Sequence, residues 1–143
     1  NPNLAGIKHC NRIEQILARS SLKADEAIML DENQNIISVT QGNIYFIFGQ
    51  RLVTPSLDRC GVIGSRRSLI LELAETIELH VEQRNISINE VIKADEVFIS
   101  NSIIGIHSVN LIEDFQFRKK SLTERIKIAF ESVTQDSKSW TCI

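Results

Sequence analysis

The sequence predicts a mixed α+β fold (α/β mixed), and three observations lead there. Between residues 27 and 54, short apolar runs rich in β-branched and aromatic side chains alternate with turn residues, which is the pattern of strands. Three longer segments instead repeat their apolar residues every three or four positions, the spacing of helices packed on one face. With 143 residues and 43% hydrophobic content, the chain suffices for one domain with a sizeable core.

In chain order, residues 11–21 place Ile13, Ile16 and Leu17 on one stripe and Arg12, Gln15 and Arg19 on the other, a helix expected to pack on the core. Ala27-Ile28-Met29-Leu30 has strand length and is closed by the turn-rich Asp31-Glu32-Asn33-Gln34-Asn35. Ile36-Ile37-Ser38-Val39-Thr40 and Asn43-Ile44-Tyr45-Phe46-Ile47-Phe48 read as strands. Gly49-Gln50 then turns the chain into Arg51-Leu52-Val53-Thr54, which Pro55 ends. These runs suggest an antiparallel meander. Residues 68–77 form an apolar helix and residues 80–83 a strand. Ser87-Ile88-Asn89-Glu90 is a capping-box pattern opening a short helix to Lys93. Asp95 and Glu96 are expected to cap or solvate the entry to the strand Val97-Phe98-Ile99, and residues 103–109 continue extended. A second capping box, Ser121-Leu122-Thr123-Glu124, opens a helix carrying Ile126, Ile128 and Phe130.

Charge and composition exclude several function classes. A net charge of -2, with both signs mixed along the chain, leaves no basic face for nucleic acid. No apolar run approaches the roughly 20 residues of a membrane span, and the start has no signal-peptide layout. Cys10, Cys60 and Cys142 are odd in number and widely spaced, as for reduced thiols in a cytoplasmic protein. His9, His80 and His107 have no second ligand at metal-binding spacing. Asn1-Pro2-Asn3-Leu4 reads as an interdomain linker. Residues 1–143 are therefore expected to be a single domain, the C-terminal part of a longer two-domain protein.

Three stretches carry chemistry. In Gly6-Ile7-Lys8-His9-Cys10-Asn11-Arg12, a lysine stands between an extended residue and a helix start. Lysines held in this way can be desolvated and used as amine nucleophiles, although a solvated surface charge is the commoner outcome for a single lysine. Gly61-Val62-Ile63-Gly64-Ser65-Arg66-Arg67 opens a helix. Its backbone N–H groups and dipole suit a phosphate, and the same glycines are equally consistent with a plain turn. Ser100-Asn101-Ser102 ends a buried strand and offers either ligand hydroxyls or an ordinary strand exit.

The order of these stretches, together with Gly42-Asn43-Ile44-Tyr45-Phe46 and Ala94-Asp95-Glu96-Val97-Phe98-Ile99, resembles the fold-type IV pyridoxal-phosphate enzymes. That group holds aminodeoxychorismate lyases, D-amino-acid aminotransferases and branched-chain aminotransferases. The resemblance runs from about Leu4 to Val109, and the form around Lys8 is most similar to the aminodeoxychorismate lyases. It implies the C-terminal domain of the D-amino-acid aminotransferase-like fold, an antiparallel-rich, barrel-like sheet with flanking helices, in a homodimer acting on a small molecule. It also implies pyridoxal 5′-phosphate as cofactor, held at its aldehyde by Lys8. The phosphate falls to the backbone N–H groups of Ser65 and Arg66 and to the hydroxyl of Ser102. Asn11 and Arg12 fall along the cofactor's hydroxyl edge or the substrate carboxylates, Arg12 being equally readable as a helix-surface charge. An N-terminal domain would cover the other side of the cofactor and supply an arginine to the phosphate.

One position departs from the family pattern. A glutamate usually faces the pyridine nitrogen five residues before the Asn-Leu-Phe pattern that stands here as Asn43-Ile44-Tyr45. That position is Ser38, and no carboxylate occurs from residue 36 to 48. A carboxylate keeps the pyridine protonated, whereas a serine hydroxyl can only hydrogen-bond it. Ser38 therefore fits a lyase, whose aromatic product lowers the barrier, better than a transaminase. It also supports a diverged, non-catalytic domain. The expected activity is conversion of aminodeoxychorismate to 4-aminobenzoate and pyruvate, with an aminotransferase and a non-catalytic module as the alternatives.

Overall fold

A computed structural model describes residues 5–8, 10–20 and 22–135. Its centre is β3 (Asn43–Phe48), a run of β-branched and aromatic residues paired on both edges and buried on both faces. Gly49, at φ 60°, turns it into the antiparallel β4 (Arg51–Pro55). On its other edge β3 pairs antiparallel with β6 (Glu96–Asn101), and β6 with β7 (Gly105–Ser108). The last strand of this sheet, β5 (His80–Arg84), runs parallel to β4, a pairing that requires the crossover made by helix α2 (Ser65–Thr76). The five-stranded sheet has the order β5-β4-β3-β6-β7 and is open at both edges. The antiparallel-rich sheet with flanking helices is present, but the sheets are not closed into a barrel, and residues 27–54 do not form one antiparallel meander: Ile28–Leu30 and Ile36–Val39 pair in a sheet of their own, and the β4–β5 pair makes the large sheet mixed.

The period of two along each strand divides the core into two layers. Tyr45, Ile47, Leu52 and Phe98 point to one face, where Ile70 and Ala74 of α2 and Ile126 and Phe130 of α4 (Ser121–Thr134) cover them. Ile44, Phe46, Val53, Val97 and Ile99 point to the other, against Ile36, Val39, Ile86 and Val91. That second face is covered by the antiparallel hairpin β1 (Ile28–Leu30) and β2 (Ile36–Val39) and by the single-turn helix α3 (Ile88–Val91). A small hairpin, β8 (Leu111–Ile112) and β9 (Phe115–Gln116), completes the chain before α4.

Several expectations are corrected here. Helix α1 (Ile13–Ser20) has the expected amphipathic pattern, yet nothing in it is buried: Ile13, Ile16 and Leu17 are 64%, 65% and 63% exposed. The capping boxes mark helix starts correctly but do not form. The N-cap of α3, Ser87, makes no side-chain cap bond, and Glu90 is instead gripped by Arg84. At α4 the cap comes from far along the chain, because the buried Glu96 carboxylate accepts the N–H groups of Leu122 at 3.0 Å and Thr123 at 2.8 Å and the Ser121 hydroxyl at 3.2 Å. Residues 103–109 do not run straight on: the Asn101 side-chain oxygen accepts the N–H groups of Ile103 and Ile104, and Gly105, at φ 68°, completes the turn into β7. The expected linker at residues 1–4, along with His9, Ser21 and Cys142, lies outside the described residues.

Two interactions make measurable predictions. Glu96→Ala leaves the first turn of α4 without its acceptor and is expected to cost roughly 2–3 kcal/mol in urea unfolding, the loss of a buried charged cap. Tyr45 is fully buried, stacked on Phe98 at 4.5 Å, and its hydroxyl shares a 3.0 Å hydrogen bond with the Ser100 hydroxyl. Burial pushes the Tyr45 phenol up to about 12. Because the folded state keeps the proton that the unfolded chain releases near its ordinary value of 10, this stabilisation is complete below that pH and is lost as pH rises toward 12. Tyr45→Phe is expected to cost about 1 kcal/mol at neutral pH and to flatten the alkaline decline seen in thermal melts.

Candidate functional site at the β2–β3 turn

Several segments that carry candidate residues meet at the short turn Thr40-Gln41-Gly42 that joins β2 to β3. Val39 and Gly42 bridge each other across it, the Val39 N–H donating to the Gly42 carbonyl at 3.0 Å. Each remaining face of the turn is claimed by a different part of the chain. Arg12 donates from Nη2 to the Thr40 carbonyl at 2.9 Å, which ties the start of α1 to it. The Thr40 hydroxyl bonds the carboxylate of Glu26, which Arg19 of α1 also approaches at 3.4 Å. Asn101 donates from Nδ2 to the Gln41 carbonyl at 3.0 Å, fixing the end of β6 against the turn. Asn43 donates from Nδ2 to the Val62 carbonyl at 3.0 Å, joining the turn to the glycine segment before α2.

The approach is close enough to demand glycine. A Cβ built on Gly42 would lie 2.5 Å from the Ser100 carbonyl oxygen, and one built on Gly64 would lie 2.3 Å from Asn43 Oδ1. Neither glycine is chosen for a left-handed backbone here; both are chosen for space.

The lysine segment joins the same cluster through its backbone. The Gly6 N–H donates to the Gly61 carbonyl at 2.9 Å and the Ile63 N–H to the Gly6 carbonyl at 3.2 Å, so the main chain at Lys8 stands two residues from the glycine segment. The side chain of Lys8 is exposed. Asn11 is exposed at the entry to α1, beside Arg12. Ser38 is half-buried on β2, opposite Met29. Ser102 is exposed in the turn that leaves β6.

At the N-terminus of α2 the donors are open. Gly64 is the N-cap, its carbonyl accepts the Arg67 N–H at 2.9 Å, and no acidic residue stands in the first turn to offset the dipole. The N–H groups of Ser65 and Arg66 have no acceptor among the described residues. The Arg66 guanidinium turns away, lying 5.1 Å above the Phe130 ring, so only its backbone faces the cluster. Two amides without acceptors at a helix start are donors of the kind that suits an anion. No group of three or more metal-binding side chains occurs among the described residues. A polar crevice of about 340 Å³ lined by Asp31, Asn35, Ser56, Asp58, Arg59 and Gln83 lies elsewhere, and none of the candidate residues lines it.

Two residues of this region escaped the sequence reading. Arg67, a charged residue in the first turn of α2, is buried, and donates from Nη2 to the Pro55 carbonyl and to Gln83 Oε1, both at 3.0 Å. Burial pulls its pKa below the usual guanidinium range. The signal was there, since residue 67 falls on the same helical stripe as Ile70, Leu71 and Ala74. Asn43 was used only as a landmark, although a polar residue heading an apolar buried strand calls for a partner.

Comparison with known proteins gives the chain a family. The aminodeoxychorismate lyase of Vibrio harveyi is 33% identical over 135 residues, covering 88% of this chain and 49% of that protein. A probable branched-chain-amino-acid aminotransferase of Thermotoga maritima is 28% identical over 112 residues, covering 78% of this chain and 41% of that protein. Among solved structures, 4-amino-4-deoxychorismate lyase from Pseudomonas aeruginosa superposes with a TM-score of 0.87 at 34% identity, over 98% of this chain and 52% of that one. The branched-chain amino acid aminotransferase from Escherichia coli does so with a TM-score of 0.83 at 26% identity, over 92% and 47%. The chain thus spans about half the length of the relatives it matches. With residues 1–112 matched by the sequence model of the family, the chain belongs to the amino-transferase class IV family, whose enzymes use pyridoxal phosphate.

Proposed function

We propose that the whole protein of which this chain forms the cofactor-binding domain is an aminodeoxychorismate lyase, releasing 4-aminobenzoate and pyruvate. The observation that carries the reading is the junction of Gly6 with residues 61–63, which sets the backbone of Lys8 beside a helix start whose amides are open. The likeness to the lyases of Vibrio harveyi and Pseudomonas aeruginosa, the two relatives above 30% identity named here, supports the choice of reaction. A homodimer in the cytoplasm is part of the same proposal.

In this reading the N–H groups of Ser65 and Arg66 and the Ser102 hydroxyl hold the cofactor phosphate, and Lys8 holds its aldehyde carbon. Asn11 and Ser38 line the ring, and Arg12 stands at the substrate carboxylates, where its bond to Thr40 limits its reach. When bound, the cofactor supplies an electron sink conjugated to the substrate amine. The Lys8 amine would take the ring proton. The C–O bond to the enolpyruvyl group would break with its electrons leaving on oxygen, and the departing enolate would take up a proton on carbon to become pyruvate. The structure adds one point about Ser38. Glu26, on the loop leading into the same hairpin, is committed to Thr40 and Arg19, so it is not free to replace the missing carboxylate.

A branched-chain or D-amino-acid aminotransferase is the second reading, favoured by the aminotransferases of Thermotoga maritima and Escherichia coli. A non-catalytic module is the third, and Ser38 favours it.

The whole protein, supplied with pyridoxal 5′-phosphate, is expected to be yellow and to release pyruvate from aminodeoxychorismate. Lys8→Ala is expected to remove the colour and lower the rate by roughly 10²–10⁴-fold. A colourless protein that cannot be reconstituted supports the non-catalytic reading, and pyridoxamine phosphate formed from an amino acid without pyruvate release supports the aminotransferase. Ser38→Glu is expected to favour transamination over pyruvate release. If neither rate responds, the nitrogen's partner does not select the reaction.

A further inference from the structure

We propose that Asn43 is a positioning residue that sets the phosphate-binding geometry of the glycine segment, acting through Val62 and Gly64 without touching the cofactor. This rests on reading the Ser65 and Arg66 amides as the phosphate site. Asn43 is 9% exposed and heads β3, opposite Ser100 of β6. Its side chain reaches across to the segment between β4 and α2, which Gly6 also holds through its backbone at Gly61 and Ile63. Nδ2 donates to the Val62 carbonyl at 3.0 Å, and Oδ1 faces the place where a Cβ on Gly64 would stand, only 2.3 Å away. The amide therefore meets this segment at Val62, by a hydrogen bond, and two residues on at Gly64, by close approach.

Both points bear on the direction of the free amides. Orienting the Val62 carbonyl fixes the peptide plane that enters Ile63, whose N–H is in turn bonded to Gly6. Gly64 is held between Asn43 on one side and the Arg67 N–H, bonded to its carbonyl, on the other. The next two N–H groups are those of Ser65 and Arg66. Without the Asn43 side chain the Val62 carbonyl loses a buried donor and Gly64 loses the surface it packs on, so the segment gains freedom where the phosphate requires a fixed aim. Asn43 also joins the two halves of the proposed donor set, because its strand partner Ser100 leads within two residues to Ser102.

The test compares two aldehydes that differ only by the phosphate. Apoprotein of the whole enzyme is titrated with pyridoxal 5′-phosphate and with pyridoxal, and the affinity ratio is measured for the wild type, Asn43→Leu and Asn43→Ser. Leucine keeps the volume and removes the donor; serine keeps a small polar side chain that cannot span the gap, and covers the case in which the leucine variant does not fold. The expected result is a fall of about tenfold in the phosphate preference, with pyridoxal binding changed much less. Equal weakening of both ligands, or an unchanged ratio in a variant that folds, overturns the proposal and leaves Asn43 a purely structural residue. Wild type without preference for the phosphorylated form overturns the assignment of Ser65 and Arg66 itself.

Discussion

The constraint on which this structure depends is the close packing of the β2–β3 turn against the end of β6. Gly42 lies so near the Ser100 carbonyl that a methyl group would not fit, and the same short turn accepts bonds from Arg12 and Asn101 and donates one to Glu26 while Asn43, the next residue, reaches Val62. Each partner comes from a different part of the chain. The turn has little apolar area of its own to bury, and its order comes from its satisfied polar groups. A substitution that opened this contact would loosen the lysine segment, the glycine segment and the strand end together.

Behind the turn, the sheet supplies rigidity. β3 and β6 carry apolar side chains to both faces, and the stacked pair Tyr45 and Phe98 stands in one layer while Phe46 and Val97 stand in the other. The Tyr45 hydroxyl and the Ser100 hydroxyl satisfy each other inside this core, two residues before Ser102. At its opposite end β6 is held by the Glu96 carboxylate at the start of α4. Both ends of β6 are thus locked by buried polar contacts, the arrangement that keeps the turn after it in place at low entropic cost.

Much of the fold was legible in the sequence because it rests on local patterns. The strand runs at 36–40, 43–48 and 51–54, the hairpin at Gly49 and the helix before Leu79 follow from periodicity and turn chemistry alone. What was not legible is long-range. The cap of α4 comes from Glu96, 26 residues before Leu122, and no local pattern shows that the Ser121-Leu122-Thr123-Glu124 box is bypassed. The stripe of α1 reads as a buried face, and only the coordinates show Ile13, Ile16 and Leu17 without cover. Lys8, Ser65 and Ser102 are candidates by order and resemblance alone, while the bonds that Asn43, Thr40 and Arg67 make to other segments were not legible, since such bonds join residues distant in sequence.

The serine at position 38 bears on what chemistry such a site could support. A protonated pyridine withdraws electrons strongly, and transamination needs that withdrawal because the carbanion it forms has no other stabilisation. Removing a ring proton and an enolpyruvyl group from aminodeoxychorismate ends in an aromatic ring, and part of that stability is already felt as the bonds break. A weaker electron sink therefore costs a lyase less than it costs a transaminase. With Glu26 already engaged by Thr40 and Arg19, a hydroxyl is what this hairpin offers at that position. The same residue that argues against vigorous amino transfer is thus compatible with an elimination whose product supplies the driving force.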